Sequence, residues 1–394
     1  MISQLNNRKM TAPRKSSASA INWHWECNSQ RQTLRSASSS EFSYLEKTFL
    51  NPIIFCRSGF VSEIYLVKFT SPPPPASRLP PAIVVKFYNV SAPKSETGFE
   101  VVDSQLNNLF ADQAGLGPAI LLILRDAIVM EYVVGGEQLA EEHDRVEAIR
   151  EEIARKLARF HAIRSPLGRN QHAEIIRQMF SVWMSVELIE EVYQGVLRGH
   201  LERLGLPHLL ATNLQAEADF VHAAIRAADQ ADPVIVFSHN DFNHLNLLVA
   251  TDPATSQPTV RFIDFDFSTY FYRGADLGRY FVDCQQPEQF HPNELVPDEV
   301  MLQFFGWYRE ESGRLHGAGF LEEARNSPEE LLKEAKLFAL YAFLVDIIFC
   351  IFMAVEMLKA KDEEKMVDFL RHGDTRYAGY LKAKARFLQD GSLP

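Results

Sequence analysis

At 394 residues the chain is longer than one hydrophobic core usually serves, so two or three domains or lobes are expected. Apolar residues make up 46% and charged residues 23%, an ordinary balance for a folded protein. A formal net charge of −11 argues against nucleic acid as a partner, since gripping a phosphate backbone needs a basic field. The four cysteines, Cys27, Cys56, Cys284 and Cys350, show no C-x-x-C or metal-ligand spacing and read as free thiols in a reducing cytosol, which predicts a cytoplasmic protein.

Residues 1–40 are basic and serine-rich, with Glu26 as their one acid and no apolar run of the secretory kind, and read as a disordered tail. A strand-rich unit is expected over 41–134. Phe42–Leu50 reads as a short helix, and Arg57-Ser58-Gly59-Phe60 as a turn between strands, with Ile64–Phe69 the stronger of the two. Pro72–Pro75, Pro80 and Pro81 make a loop, a spacer between strands. The next strand, Ile83–Tyr88, carries Lys86. Helical spacing over Ser95–Ala114 places Phe99, Val102, Leu106, Leu109 and Phe110 on one apolar face. A hairpin of Ile120–Leu124 and Ile128–Val133 then leads to a Gly135-Gly136 hinge.

The pattern over 135–394 is mostly helical. Val146–His161 is amphipathic, and further helices over 173–230 are expected to break at Gly199, Gly205 and Pro207. Strands return at Val234–Ser238, Leu247–Val249 and Val260–Ile263. The run 337–355, LFALYAFLVDIIFCIFMAV, is long and apolar enough to span a bilayer. Asp346 at its centre would cost about 2.5–3.5 kcal/mol there. It reads as a buried helix whose acid meets a polar partner, with no transmembrane segment. Two lobes with a cleft between them are implied, and such clefts bind ligands.

The chemistry concentrates in HNDFNHLN at 239–246 and VRFIDFDF at 260–267. Asp241 precedes Asn246 by five residues, and Asp264 ends an apolar strand. In kinase-type sites one Asp accepts the proton of the acceptor hydroxyl, while an Asn five residues on and a second Asp hold the Mg2+ that bridges the nucleotide phosphates. Mg2+ takes a few hard oxygens and keeps room for water and phosphate. His239 completes the His-x-Asp, and Asp266 is a second acid beside Asp264. Lys86, mid-strand among apolar residues, is expected to contact ATP, because a buried strand tolerates a lysine poorly without a partner. Its acid partner is open among Glu96, Glu100 and Asp103. Ser58 and Gly59 would cover the phosphates, although that turn has one glycine where a Gly-rich loop has three.

The segment HNDFNHLN…RFIDFDFSTYFYRGADLGRYF resembles the choline/ethanolamine kinase family, whose pattern runs HND-x4-N, IDFE or IDYE, then a tyrosine-rich piece ending F-D-I-G-N-H-F. GLGPAI, MEYVVGGEQL and EIARKLARFHAI extend the likeness over roughly 55–385. The resemblance implies an α+β, two-lobe protein-kinase-like fold, with a small antiparallel-sheet N-terminal lobe and a larger, mostly helical C-terminal lobe. It implies ATP-dependent phosphorylation of ethanolamine or choline, the first step of CDP-ethanolamine and CDP-choline phospholipid synthesis. It puts Asp266 where the family has Glu, makes Asp276 a brace for the catalytic loop, and sets adenine against the backbone around Glu131–Val133. The family's acid after N-H-F corresponds to Asp283, and its tryptophan pair to Phe349 and Phe352. Tyr272 and Tyr377 would complete a cage for the ammonium, while the aromatic neighbour of the acid is replaced by Cys284. Plain core packing is the other reading of the two phenylalanines. The thin cage favours ethanolamine, held by hydrogen bonds to Asp283. Another small-molecule kinase of the aminoglycoside-phosphotransferase type, or a silent binding protein with the same fold, are the rival functions. The sequence does not fix the oligomeric state, and a homodimer is among those it allows.

Overall fold

A computed structural model of the chain describes residues 53–58, 62–68, 80–88, 101–169, 171–184, 195–211, 213–229, 233–252, 255–283 and 295–393. Nearly all of these belong to one compact unit, Ile54–Val67 with Ala82–Pro394. The other unit, Met1–Ile53 with Lys68–Pro81, has only Ile53, Lys68, Pro80 and Pro81 among the described residues. The tail 1–40, the expected helix at 42–50, Gly59 and the prolines at 72–75 lie outside the described residues.

Three β-branched or aromatic-rich strands open the sheet: β1 (Ile53–Ser58), β2 (Ser62–Lys68) and β3 (Ala82–Tyr88). Helix α1 (Val101–Gln113) follows, then the hairpin β4 (Ile120–Ile123) and β5 (Ala127–Glu131). The sheet order is β1-β2-β3-β5-β4, and β3 runs antiparallel to β5 with Lys86 opposite Ile128.

Helix α1 turns a different face inward from the one its apolar residues predict. Val102 is 62% exposed, while Ser104, Gln105, Asn107 and Asn108 are buried. The reason lies in what the helix touches. Asn107 Nδ2 donates to Phe265 O and Ser268 O at 3.1 and 2.7 Å, and Ser104 Oγ donates to Asp266 at 2.6 Å. Its polar side serves the backbone and carboxylate of the loop after Asp264, and polar satisfaction overrides the apolar periodicity there.

The rest of the chain is mainly helical. After β6 (Glu137–Gln138) come α2 (Glu147–His161) and α3 (Leu214–Asp229). Gly205, with φ 64°, ends the helix Arg198–Leu204, whereas Gly199 sits inside that helix and does not break it. Strand β7 (Ile235–Ser238) pairs antiparallel with β10 (Thr269–Tyr272), a strand the sequence pattern did not suggest. Between them, β8 (Leu247–Thr251) and β9 (Pro258–Phe262) form a hairpin, with β6 on the other edge of β8. Helices α4 (Arg273–Asp283), α5 (Asp298–His316), α6 (Pro328–Lys359) and α7 (Glu363–Gln389) follow.

Helix α6 is the expected apolar helix, started by Pro328 at its first turn and by Ser327 Oγ accepting the Glu330 N–H. It is long and apolar enough to cross a membrane, and 72% of its most apolar stretch is buried inside the protein. It packs against α4 at two glycines. A Cβ on Gly278 would stand 2.5 Å from the Phe338 carbonyl carbon and 2.8 Å from Ala335 O, and one on Gly274 would stand 2.6 Å from the Phe338 ring. The crossing is pinned by Arg273, 1% exposed, whose fork bonds both Glu334 oxygens at 2.9 and 2.6 Å, Asn326 Oδ1 at 2.6 Å and Arg325 O at 2.8 Å.

Gly278→Ala should therefore force α4 off α6 and destabilise the fold by about 2 kcal/mol or more. The urea midpoint should fall accordingly, with the slope of the transition kept.

Candidate active site

Strand β7 delivers the chain into the segment His239–Asn246, and the short β8–β9 hairpin returns it beside that segment at Asp264. Asp276, fully buried in the first turns of α4, holds the start of this loop. Its carboxylate accepts the backbone N–H of His239 at 2.7 Å and of Asn240 at 2.9 Å, and meets His161 Nε2 at 3.1 Å. Burial works against the Asp276 charge, but His161, His239 and the backbone donor hold its carboxyl below the usual range. His239 is also fully buried, and its Nε2 donates to Ile263 O at 3.0 Å, tying the loop to the residue before Asp264. His239, expected to share in catalysis, is sealed behind the loop with its ring on Ile263 O.

Two non-glycine residues flank the site in the left-handed region, Asn240 at φ 62° and Asp264 at φ 64°. Asn and Asp tolerate that conformation best. Asn240 is anchored there by its Nδ2 donating to Phe267 O.

Asp241 collects amide donors on both carboxylate oxygens, Asn243 Nδ2 at 2.7 Å and Asn246 Nδ2 at 2.8 Å. Asn246 Nδ2 also donates to Asp241 O at 2.8 Å, so the five-residue spacing does bring the two side chains together. Burial pushes the Asp241 carboxyl above the usual range, opposed chiefly by the charges of Arg279 and His239.

Lys86 Nζ, on β3, sits 2.7 Å from Asp264 Oδ1 and 2.7 Å from Asp266 Oδ2. Burial opposes its charge, but these two carboxylates hold the ammonium well above the ordinary lysine range. Two acids against one base leave a surplus negative charge. Burial disfavours the charge at Asp266 and raises its carboxyl, while Lys86 overrides burial at Asp264 and keeps that carboxyl low. The Asp264 side chain is 41% exposed and that of Asp266 2%. Among the acids expected for Lys86, Glu96 and Glu100 lie outside the described residues, and Asp103 is in the first turn of α1. Among the described residues, the carboxylates on Lys86 are the two beside the loop.

The donor set suits Mg2+. Asp264 is anionic and reachable, the surplus charge invites a cation, and Asn246, its nitrogen committed to Asp241, offers its oxygen. Among the described residues no group of three or more His, Cys, Asp or Glu could hold a metal by itself. That fits an ion that keeps waters and takes phosphate oxygens.

The other expected nucleotide contacts are strand-end residues: Ser58 ends β1, and Glu131 ends β5 opposite Ile83. Val133 follows, its carbonyl accepting the Gly136 N–H at 3.1 Å.

The expected ammonium cage is where the structure departs from the sequence reading. Asp283 is taken by arginines: Arg376 Nη2 donates to Oδ1 at 2.6 Å and Arg279 lies 3.6 Å from Oδ2. Tyr377 is 3% exposed and stacked on Tyr380, so it presents almost no face to a ligand. Tyr272 donates to Asp229 at 3.0 Å and lines a cavity with His222 and Arg226. Phe349 is 45% exposed and meets Phe369 edge to face, while Phe352 is half-buried on the same helix, three residues on. Cys284 lies outside the described residues. Sequence reasoning missed Arg279 and Arg376. For Arg279 a signal existed, since it stands at the Asn of the N-H-F pattern.

Comparison with known proteins agrees on fold and family. The family model described as Choline/ethanolamine kinase matches residues 37–381. Choline/ethanolamine kinase of Homo sapiens is 23% identical over 254 residues, 61% of this chain and 58% of that protein. The probable ethanolamine kinase A of Dictyostelium discoideum is 26% identical over 344 residues, 84% of this chain and 85% of that one. The chain thus spans little more than half of the human relative. Among solved structures, choline kinase from Cryptosporidium parvum Iowa II superposes with a TM-score of 0.62 at 17% identity, covering 90% of this chain and 94% of that one. This is a likeness of fold, the two-lobe protein-kinase-like one.

Asp276→Asn should destabilise the protein by about 1–3 kcal/mol at pH 7, since a charged acceptor of two buried N–H groups is lost. A carboxyl held low in the fold contributes above its unfolded value and loses that contribution as pH falls. The stability gap between wild type and Asp276→Asn should narrow below about pH 4, measured by denaturant titration across pH.

Proposed function

The chain belongs to the choline/ethanolamine kinase family, and on that premise we propose that it transfers the γ-phosphoryl group of ATP to the hydroxyl of ethanolamine or choline. The single observation that carries this is Asp241, held by Asn243 and Asn246 in a loop braced by Asp276. Asp241 takes the hydroxyl proton as the acceptor oxygen bonds to the γ-phosphorus, the bond from phosphorus to the β-bridging oxygen breaks, and ADP leaves. The burial that raises its carboxyl makes it a better proton acceptor than an exposed aspartate. Asn246 and Asp264, with Asp266 behind them, would hold Mg2+, which supplies charge neutralisation on the phosphates. Lys86 would turn from the carboxylates towards those phosphates. Positioning and charge carry the rate, with no covalent intermediate on the protein. A cytoplasmic setting suits this reading, with Cys350 a buried free thiol, and the product would feed phospholipid head-group synthesis.

The thin cage is the observation that favours the second reading, a kinase of the same fold acting on another alcohol. A coupled ADP-release assay across ethanolamine, choline, sugars and aminoglycosides separates the two. ADP release dependent on an amino alcohol is expected, and release only with another alcohol would replace this reading. Asp241→Asn should lower turnover by about 100- to 10,000-fold while Mg-ATP still raises the melting temperature. Chelation of Mg2+ by EDTA should abolish turnover, and added Mg2+ should restore it.

A further inference from the structure

The two ends of the catalytic loop are held differently, and helix α4 reaches both. At the start, Asp276 accepts the backbone N–H groups of His239 and Asn240. One turn further along the same face of α4 stands Tyr280. It is fully buried, its ring centroid 5.0 Å from that of Phe304 and 6.3 Å from that of Phe242 in the loop. Tyr280 Oη donates to Asp144 Oδ1 at 3.2 Å. Asp144 is 1% exposed and ends the single helical turn Glu141–Asp144, which follows β6 closely. Its other oxygen, Oδ2, lies 3.4 Å from Nε2 of His244. His244 comes three residues after Asp241 and two before Asn246.

The segment that carries Asp144 grips the loop in two further places. Gln138 Nε2 donates to Leu245 O at 3.1 Å, and the Leu139 N–H donates to Leu247 O at 2.8 Å. Residues 138–144 therefore run along the closing half of the loop, where Asn246 turns its amide to Asp241. Arg150 Nη1 donates to the Asp144 carbonyl at 2.6 Å and ties the turn to α2. A carboxylate this buried is costly unless donors meet it, and the Tyr280 hydroxyl and the His244 ring stand on its two oxygens. His244 Nε2 is itself buried and makes no hydrogen bond among the described residues, so Asp144 is the acceptor it faces. Asp283 is a second acid within electrostatic reach of His244, but Arg376 and Arg279 already hold it.

We infer that Asp144 is a second positioning residue of the catalytic loop: through His244, and steadied by Tyr280, it fixes the closing half as Asp276 fixes the start. Helix α4 then sets both ends, one directly and one through Asp144. Without this brace Asn246 is the residue set loose, and with it one of the two amide donors on Asp241. The loss therefore falls on kcat and spares acceptor binding. The effect on turnover rests on the kinase reading above, whereas the effect on the loop does not.

The test joins steady-state kinetics to amide hydrogen exchange, both on the full chain. Asp144→Asn, His244→Ala and Tyr280→Phe should each lower kcat with Mg-ATP and an amino alcohol by about three- to thirtyfold, with the acceptor KM within about twofold of wild type. Asp144→Asn and His244→Ala combined should lose no more than the worse of the two, because residues acting through one contact are not additive. Without any ligand, residues 243–247 should exchange about tenfold faster in Asp144→Asn, read by mass spectrometry. Wild-type kcat in the variants, additive losses or unchanged exchange each overturn the brace and leave the kinase reading standing. Faster exchange in a chain whose wild type turns over no alcohol overturns the kinase reading and leaves the brace standing. Should Asp144→Asn fail to fold, Tyr280→Phe, which keeps the packed ring and loses one oxygen, decides in both measurements.

Discussion

Everything at the site depends on one buried carboxylate. Asp276 has no solvent to satisfy it, and the N–H groups of His239 and Asn240 are its compensation. Those residues immediately precede Asp241, so the same two bonds that make burial of the charge tolerable also fix where the loop begins. From that fixed start, Asn240 can be held in a left-handed conformation and Asn246 can close back on Asp241. Asp276 is itself positioned by α4, and α4 approaches α6 only because Gly274 and Gly278 leave room. A fold-level constraint, two missing side chains, is thereby coupled to the geometry of a few polar atoms.

The charges around Asp241 are arranged unequally. At Lys86 two acids face one base, a set that suits a metal ion. Among Arg279, Arg376, Asp283 and Asp346, two arginines match two acids. Taking four charges out of water and pairing them seldom adds stability over apolar packing, while breaking one pair is costly.

Much of the site was legible in the sequence because its parts are close in the chain. Asp241 and Asn246 are five residues apart, and the β8–β9 hairpin that carries Asp264 has strands and turn in one short run. The strands of the sheet were legible from their β-branched runs. What was not legible depends on distant partners. Strand β10 pairs with β7 across some thirty residues and carries no alternation of its own. The inward face of α1 is set by Phe265, Asp266 and Ser268, so polar residues won over the apolar stripe. Asp346 stood out as an acid in an apolar helix needing a polar partner. That the partners are Arg279 and Arg376, 67 and 30 positions away, no local pattern could tell. The same distance hid the fact that Asp283 is already matched.

The most direct test of the central claim is 31P NMR of Mg-ATP and ethanolamine mixed with the wild-type chain and with Asp241→Asn. A phosphomonoester resonance growing with ADP is expected in the wild type, and none above background in the variant. A phosphomonoester formed equally fast by the variant, or inorganic phosphate in its place, would contradict it.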